Sequence, residues 1–236
     1  MITRVSFEKL ILDKSAVTEL GSKSRDELSA LLGEGFAAMK NYDQNNPHHC
    51  YDLLTHTLYT VNNLDTEKCG RNDSVFIKAA AMFHDIAKPK VAQLKNGMSV
   101  FYGHASKSAE IAEGLLLRIG YDNVEASRIC FFIKHHDDFI SFKESNHEIK
   151  HVSPYIRIIG IDTVEAQMLI TKNDAVKNGT YIPDKHDYLL LINLCKADAS
   201  AQSEYVERDG SVVDGRQAKL SRMNKIEQII KELPWT

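Results

Sequence analysis

Histidines and aspartates recur in this chain at the ends of apolar segments, where imidazole nitrogens and carboxylate oxygens can close around a divalent cation. His84 and Asp85 follow the run Phe76-Ile77-Lys78-Ala79-Ala80-Ala81-Met82-Phe83 and precede Ile86-Ala87-Lys88-Pro89. A His-Asp dipeptide alone says little: this composition gives roughly 0.7 such pairs by chance, and two more occur at His136-Asp137 and His186-Asp187. The first pair gains meaning from its company, which is His56, His104, the doublet His135-His136, and Asp198 in Lys196-Ala197-Asp198. Imidazoles mixed with carboxylates suit a hard-to-borderline divalent ion better than a thiolate site would. His56, His84, Asp85, His104, His135 or His136, and Asp198 are enough to hold two ions with Asp85 bridging. Two such ions, roughly 3.5 to 4 Å apart, bind a water and a phosphoryl oxygen together and acidify the water, which is the chemistry of phosphate-ester hydrolysis.

Accessory groups follow from the same spacing. Lys88 lies three residues after Asp85, one turn on if the helix continues, so its ammonium can reach a metal-held phosphate; its plain alternative is a lysine complementing a helix C-terminus. His49 can hydrogen-bond substrate or donate a proton, or it is a surface residue of the His48-His49 pair. Asp174 competes with Asp198 for the last carboxylate position; Asp198 is favoured because it follows the leucine-rich stretch from Leu190 to Leu194. Arg118 and Arg157 are candidate phosphate contacts, although arginine at such positions is commonly a solvated helix residue. Tyr51, Tyr59 and Phe101 would make a stacking patch for single-stranded RNA, but aromatics so placed usually belong to a core.

Helical periodicity supplies the elements that would position these groups. Asn46-Pro47 reads as a cap with proline at the first helical position, putting His49 and His56 on one helix face. Asp73 or Ser74 would cap a helix from Val75 to Ala87, with His84 and Asp85 in its last turn. Lys95-Asn96-Gly97-Met98 is the strongest turn signal, so a short β-hairpin is expected near residues 92–102, leading Gly103-His104 into the next helix. Gly120 would stop that helix, and Asn123 would cap another that ends at His135-His136. The polar stretch from Asp137 to Val152 reads as a loop able to cover a site. Ser153-Pro154 and Asp162-Thr163-Val164-Glu165 each signal a helix start. A further helix runs from Asp184 to Val206, and after the Arg208-Asp209-Gly210 turn an amphipathic one spans Asp214 to Leu233. The sum is an all-α domain with one hairpin, its ligands drawn from facing helices.

The chain has 236 residues, enough for one sizeable core, and a net charge of -3 that gives no basic field for a long nucleic-acid duplex. Cys50, Cys69, Cys130 and Cys195 show no Cys-x-x-Cys spacing and read as reduced, mostly buried thiols. No signal-like or membrane-spanning apolar stretch is present, so the expected setting is soluble and cytoplasmic. The expected organisation is an N-terminal helical extension over residues 1–40, the main domain over 41–207, and a C-terminal helix over 208–236 belonging to the same globular unit.

The set His56, His84-Asp85 and Asp198, with His104 and His135-His136 between, resembles the HD superfamily of metal-dependent phosphohydrolases. The likeness is strongest to the HD domain attached to bacterial CCA-adding tRNA nucleotidyltransferases. It is carried by Asn46-Pro47-His48-His49-Cys50-Tyr51-Asp52-Leu53-Leu54-Thr55-His56-Thr57, Phe83-His84-Asp85-Ile86-Ala87-Lys88-Pro89, Phe101-Tyr102-Gly103-His104 with Ser108-Ala109, and Lys196-Ala197-Asp198. The resemblance implies an HD-type helical bundle with His56, His84, Asp85 and Asp198 as core metal ligands. It also implies a second metal site completed by His104 and one of the doublet. An aromatic-His-Asp pattern at that point favours His136, whereas HD enzymes with a double histidine use both, so His135 and His136 both stand. The chain departs from the CCA-adding enzymes in lacking a nucleotidyltransferase head before residue 40, so CCA addition is not expected. Neither Glu-Asp after His84-Asp85 nor Gly-Tyr-Pro after the doublet occurs, so guanylate-alarmone and cyclic-dinucleotide hydrolysis lack their signatures.

The expected activity is therefore a metal-dependent phosphohydrolase, a phosphomonoesterase or phosphodiesterase acting on a nucleotide or related small phosphate ester. Asp85, Lys88 and His49 would be catalytic, and Lys88, Arg118 and Arg157 would bind substrate. One or two ions are expected, with Mn²⁺, Fe²⁺, Co²⁺, Ni²⁺ or Zn²⁺ favoured over Mg²⁺ alone by the many imidazoles. The rival is a non-catalytic module that binds a nucleotide or an RNA end in the same pocket. A third reading places the function on the C-terminal helix, through oligomerisation.

Overall fold

The computed structural model describes residues 2–46, 49, 51–144, 157–202, 205–206, 212–213 and 215–234. The α-helices among them are α1 (Arg4–Leu12), α2 (Lys14–Glu19), α3 (Arg25–Leu32), α4 (Glu34–Ala37), α5 (Leu53–Asn63), α6 (Arg71–Phe83), α7 (Lys88–Val91), α8 (His104–Ile119), α9 (Asn123–His135), α10 (Ile161–Asn178), α11 (Lys185–Ser200) and α12 (Gly215–Glu232). Three short strand pairs accompany them: β1 (Gln93–Lys95) with β2 (Met98–Val100), antiparallel; β3 (Phe142–Lys143) with β4 (Arg157–Ile158), parallel; and β5 (Tyr205–Val206) with β6 (Val212–Val213), antiparallel. The protein is thus predominantly helical, as the periodicity predicts. The expected hairpin is β1–β2, and its turn residues Asn96 and Gly97 both take positive φ, 52° and 80°, as a two-residue hairpin turn requires.

Helix α6 is the axis. Every residue from Ser74 through Lys88 is buried, because α1, α5, α8, α9 and α11 all pack around it. The run Ala79-Ala80-Ala81 keeps that helix thin enough for such crowding, and Phe7, Phe36 and Phe83 fill the space toward the N-terminal helices. Helix α12 packs on α11 and α10, with Met223, Ile226 and Ile230 buried.

Several helix ends fall elsewhere than the sequence suggests. Asp52, not Asn46, starts α5: its carboxylate accepts from the Thr55 backbone N–H at 2.8 Å, so His49 precedes the helix rather than sharing its face. Helix α6 begins at Arg71, with Asp73 and Ser74 already inside it, and ends at Phe83 rather than Ala87. Pro89 has no N–H to return to the Asp85 carbonyl, so His84 and Asp85 sit in a turn beyond the helix. Asp122 caps α9 in a reciprocal box with Glu125, and Gly160 precedes α10, its N–H donating to Thr163 Oγ1 at 3.0 Å. Ser153-Pro154 and the Arg208-Asp209-Gly210 turn lie outside the described residues; Arg157–Ile158 is strand, so no helix from Ser153 runs through it. Helix α11 stops at Ser200, and Tyr205–Val206 is strand instead of helix.

Asp187 ties α11 to α9 and to the loop before α11. Its fully buried carboxylate accepts from Arg128 Nε at 2.8 Å, Tyr181 OH at 2.7 Å and the Asp184 backbone N–H at 3.1 Å. Asp187→Ala would leave the Arg128 guanidinium with Asp73 Oδ1 at 2.9 Å as its remaining carboxylate and deprive Tyr181 OH of its acceptor, and the expected loss is about 1 to 3 kcal/mol of unfolding free energy, measured as the urea midpoint at neutral pH.

Candidate metal centre

Five helix ends bring six side chains to one point. His56 comes from the first turns of α5, His84 and Asp85 from the turn after α6, His104 from the first residue of α8, His136 from the end of α9, and Asp198 from the last turn of α11. Gly103, at φ 74°, lets the chain turn sharply out of the hairpin so that α8 opens on His104.

The rings are oriented alike. Nδ1 of His84, His104 and His136 lies against the carbonyl three residues earlier, Ala81 at 2.8 Å, Phe101 at 2.8 Å and Ile133 at 2.7 Å. Nδ1 of His56 reaches the Ala201 carbonyl at 3.3 Å. A carbonyl can only accept, so each Nδ1 is assigned the proton and each Nε2 is left with a lone pair. Those four Nε2 atoms converge on the carboxylates. His56 Nε2 is 2.9 Å from Asp198 Oδ1, His84 Nε2 3.1 Å from Asp85 Oδ2, and His104 Nε2 3.2 Å from Asp85 Oδ1. His104 and His136 present their Nε2 atoms to each other at 3.2 Å.

Lone pairs aimed at lone pairs and at carboxylate oxygens repel unless a cation, either a metal ion or a proton, lies between them. His56 Nε2, His84 Nε2 and Asp85 Oδ1 are buried without a properly aligned hydrogen-bond partner among the described residues, a costly state for polar atoms. Three overlapping donor sets each fall within 4.8 Å: His56, His84 and Asp198; His84, Asp85 and His136; His104, His136 and Asp137. These residues fit a divalent metal, and the shared members suit two ions side by side.

Not every candidate joins the group. His135 turns away on α9, one residue and about 100° of helix from His136, and its Nδ1 pairs with Asp138 Oδ2 at 2.9 Å. Asp174 lines a separate cavity with His135, about 150 Å³, between α8, α9 and α10. Arg118 is exposed in the last turn of α8, about 21 Å along the helix from His104. Arg157 donates to Gln167 Oε1 and lies over the Phe142 ring. Neither arginine lines the mouth of the centre.

Lys88 does reach the cluster, though not along a continuous helix. Its Nζ lies 2.7 Å from Asp85 Oδ2 and donates to Gln44 Oε1 at 3.1 Å. Burial alone would depress this ammonium, but Asp85, Asp198 and Asp137 keep it raised and charged. Burial would likewise depress His84, yet with no metal between them the adjoining Asp85 carries it up to about 9, a proton on Nε2 then taking the place a metal would hold, and Asp85 in turn is held well below the usual carboxylate range by His84 and Lys88. Burial, Lys88 and His56 lower His49 to about 2, so its imidazole is neutral at ordinary pH and carries no resident proton to give. Its ring meets that of His56 edge-on at 5.1 Å.

Two participants escape the sequence argument. Asp137 lies 3.2 Å from His104 Nε2 and 3.6 Å from His136 Nε2; its signal was the second His-Asp dipeptide, which chance alone explained. Buried Gln44 gives no sequence signal, because only tertiary packing brings it to Lys88. The centre opens into a cavity of about 400 Å³, whose walls include Asn46, His49, Lys88, Phe101 and Tyr102.

Fold and site together define a helical domain built around a His/Asp centre for divalent metal. Residues 48–167 match the family model for the HD domain. That stretch covers just over half of the 236 residues, and the chain belongs to the HD-domain family; HD domains bind divalent metals and are generally metal-dependent hydrolases. Asp198 and α12 lie beyond the matched stretch. No match was found among the curated proteins. Among the described residues, no helix is long and apolar enough to cross a membrane.

The geometry separates neighbouring residues by experiment. His136→Ala and Asp198→Asn should each lower bound metal to half of the wild-type content or less, whereas His135→Ala and Asp174→Asn should leave it unchanged, read by elemental analysis of folded protein.

Proposed function

We propose that the protein is a metal-dependent phosphohydrolase acting on a nucleotide or a related small phosphate ester. The observation that carries this reading is the convergence of four imidazole Nε2 atoms, each oriented by a backbone carbonyl, on Asp85, Asp137 and Asp198. Divalent ions bound there would supply Lewis acidity and an acidified water, and the imidazole-rich donor set favours Mn²⁺, Fe²⁺, Co²⁺, Ni²⁺ or Zn²⁺ over Mg²⁺ alone.

The chain's own groups complete the chemistry. Lys88 is a fixed positive charge at the mouth, held by Asp85 and Gln44 and lying 5.4 Å from the Phe101 ring centre, where it can offset charge gathering on phosphoryl oxygens. His49, neutral and lining the same mouth, serves as a hydrogen-bonding group toward the ester rather than as a stored acid. Tyr102 is 62% exposed at the cavity wall, with the Lys95 ammonium 5.8 Å from its ring centre, and this exposed ring is what supports a nucleobase over a featureless ester. Burial of Asp85 and His84 keeps bulk water from competing with the substrate at these polar groups.

Purified protein is expected to carry a transition metal and to hydrolyse an aryl phosphate or one of a panel of nucleotides in the presence of Mn²⁺. Asp85→Ala should abolish that turnover while circular dichroism stays helical; retained activity would sink the mechanism. Lys88→Gln should keep the metal and lose about 100-fold in kcat. Bound metal without turnover on any phosphate ester would instead favour a receptor.

A further inference from the structure

Helix α12 lies outside the family-matched stretch, yet it lends two cations to the neighbourhood of the centre. Lys219 and Arg222 line a recess of about 20 Å³ with Asp137, Asp198 and Gln202, and those last three also line the open mouth. None of the hairpin residues that wall the mouth lines the recess, so the two cations occupy a different side of the metal centre from Tyr102. Lys219 Nζ donates to Gln202 Oε1. Lys143, at the end of β3, adds a third positive charge close to both.

The carboxylates nearby offset this gathering only in part. Burial lowers the pKa of all three groups; at Lys143 the neighbouring cations lower it further, while at Lys219 Asp198 and Asp137 oppose the cations and at Arg222 Glu144 opposes the burial, without restoring the ordinary value at either. The nearby carboxylates are engaged elsewhere: Asp198 with His56, Asp137 with His104, and Glu144 with Lys225 at 2.6 Å and Ser221 at 3.2 Å. Arg222 Nε is buried with no hydrogen-bond partner among the described residues. A guanidinium fork and an ammonium side by side match a phosphate or a carboxylate in both charge and geometry.

We propose that Lys219 and Arg222 hold a second anionic group of the substrate, making that substrate a phosphate ester with a further phosphate or carboxylate beyond the phosphoryl group at the metals. This rests on the phosphohydrolase reading above. The recess has room for about one water, so the anion sits at its entrance, where the Lys219 ammonium exchanges the Gln202 carbonyl for it.

The test uses the metal-loaded full chain and three phosphonates that cannot be hydrolysed at phosphorus: methylphosphonate with one anionic group, and phosphonoacetate and methylenediphosphonate with two. Calorimetry reads affinity, and elemental analysis afterwards verifies that metal was retained. Wild type should bind at least one two-group probe about tenfold more tightly than methylphosphonate. The double variant K219Q/R222Q should lose that margin with methylphosphonate binding unchanged, and K219R should keep it. Preference between the two larger probes tells phosphate from carboxylate. Equal affinities in wild type, an undiminished margin in the double variant, or equal losses for all three probes would overturn the proposal. If the double variant fails to fold, K219Q and R222Q singly carry the same comparison. Because no turnover is needed, a protein that selects the two-group probes yet hydrolyses nothing would sink the hydrolase reading and leave this one standing as a ligand preference.

Discussion

Four backbone carbonyls orient the whole centre. At the end of a helix the last carbonyls lose their intrahelical partners, and here Ala81 and Ile133 find theirs in the imidazoles of His84 and His136. The Phe101 carbonyl does the same for His104 at a helix start, and Ala201 for His56 across the fold. One interaction thereby settles two problems: it satisfies a stranded acceptor, and it fixes the tautomer and direction of a ring. The end of α6 at Phe83, six residues ahead of Pro89, is part of the same arrangement, since a longer α6 would withdraw the Ala81 carbonyl into the helix ladder.

The second constraint is the burial of α6 and of the turn behind it. With every residue from Ser74 through Lys88 enclosed, polar groups in this stretch persist only with partners. Lys78 donates to the Val61 carbonyl at the end of α5 at 3.1 Å, and Lys88 pairs with Asp85 and Gln44. In these surroundings charges are screened little, so Asp85 and Lys88 influence each other and the histidines strongly. The electrostatic character of the centre thus follows from the same packing that makes α6 the core.

Much of this was legible in the residues themselves. Asn96-Gly97 announced the hairpin because a two-residue turn with both φ positive suits few other pairs, and the apolar periodicity gave the helices. Helix starts were harder to read: Asn46, Asp73 and Asn123 all look like caps, but Asp52 and Asp122 take the position through side-chain hydrogen bonds the sequence does not display, and α6 starts after Gly70 with no side-chain cap at all. The helical period implies that His135 and His136 cannot point the same way, but only the fold tells which of them faces inward. Asp137 looked like coincidence for want of a known neighbour. Gln44, Lys219 and Arg222 were invisible, since what matters about them is their nearness to residues far along the chain.

The tie between His56 Nδ1 and the Ala201 carbonyl spans 145 residues, and its counterpart from His56 Nε2 to Asp198 is nearly as long. Loop closure of that length must be met before the contact gives anything back. The centre therefore stays open on one side until α11 is in place, whatever α5, α6, α8 and α9 have formed by then. A chain emerging from the ribosome carries the His-Asp motif long before it carries a closed metal site, and docking of α11 is the step that turns one into the other.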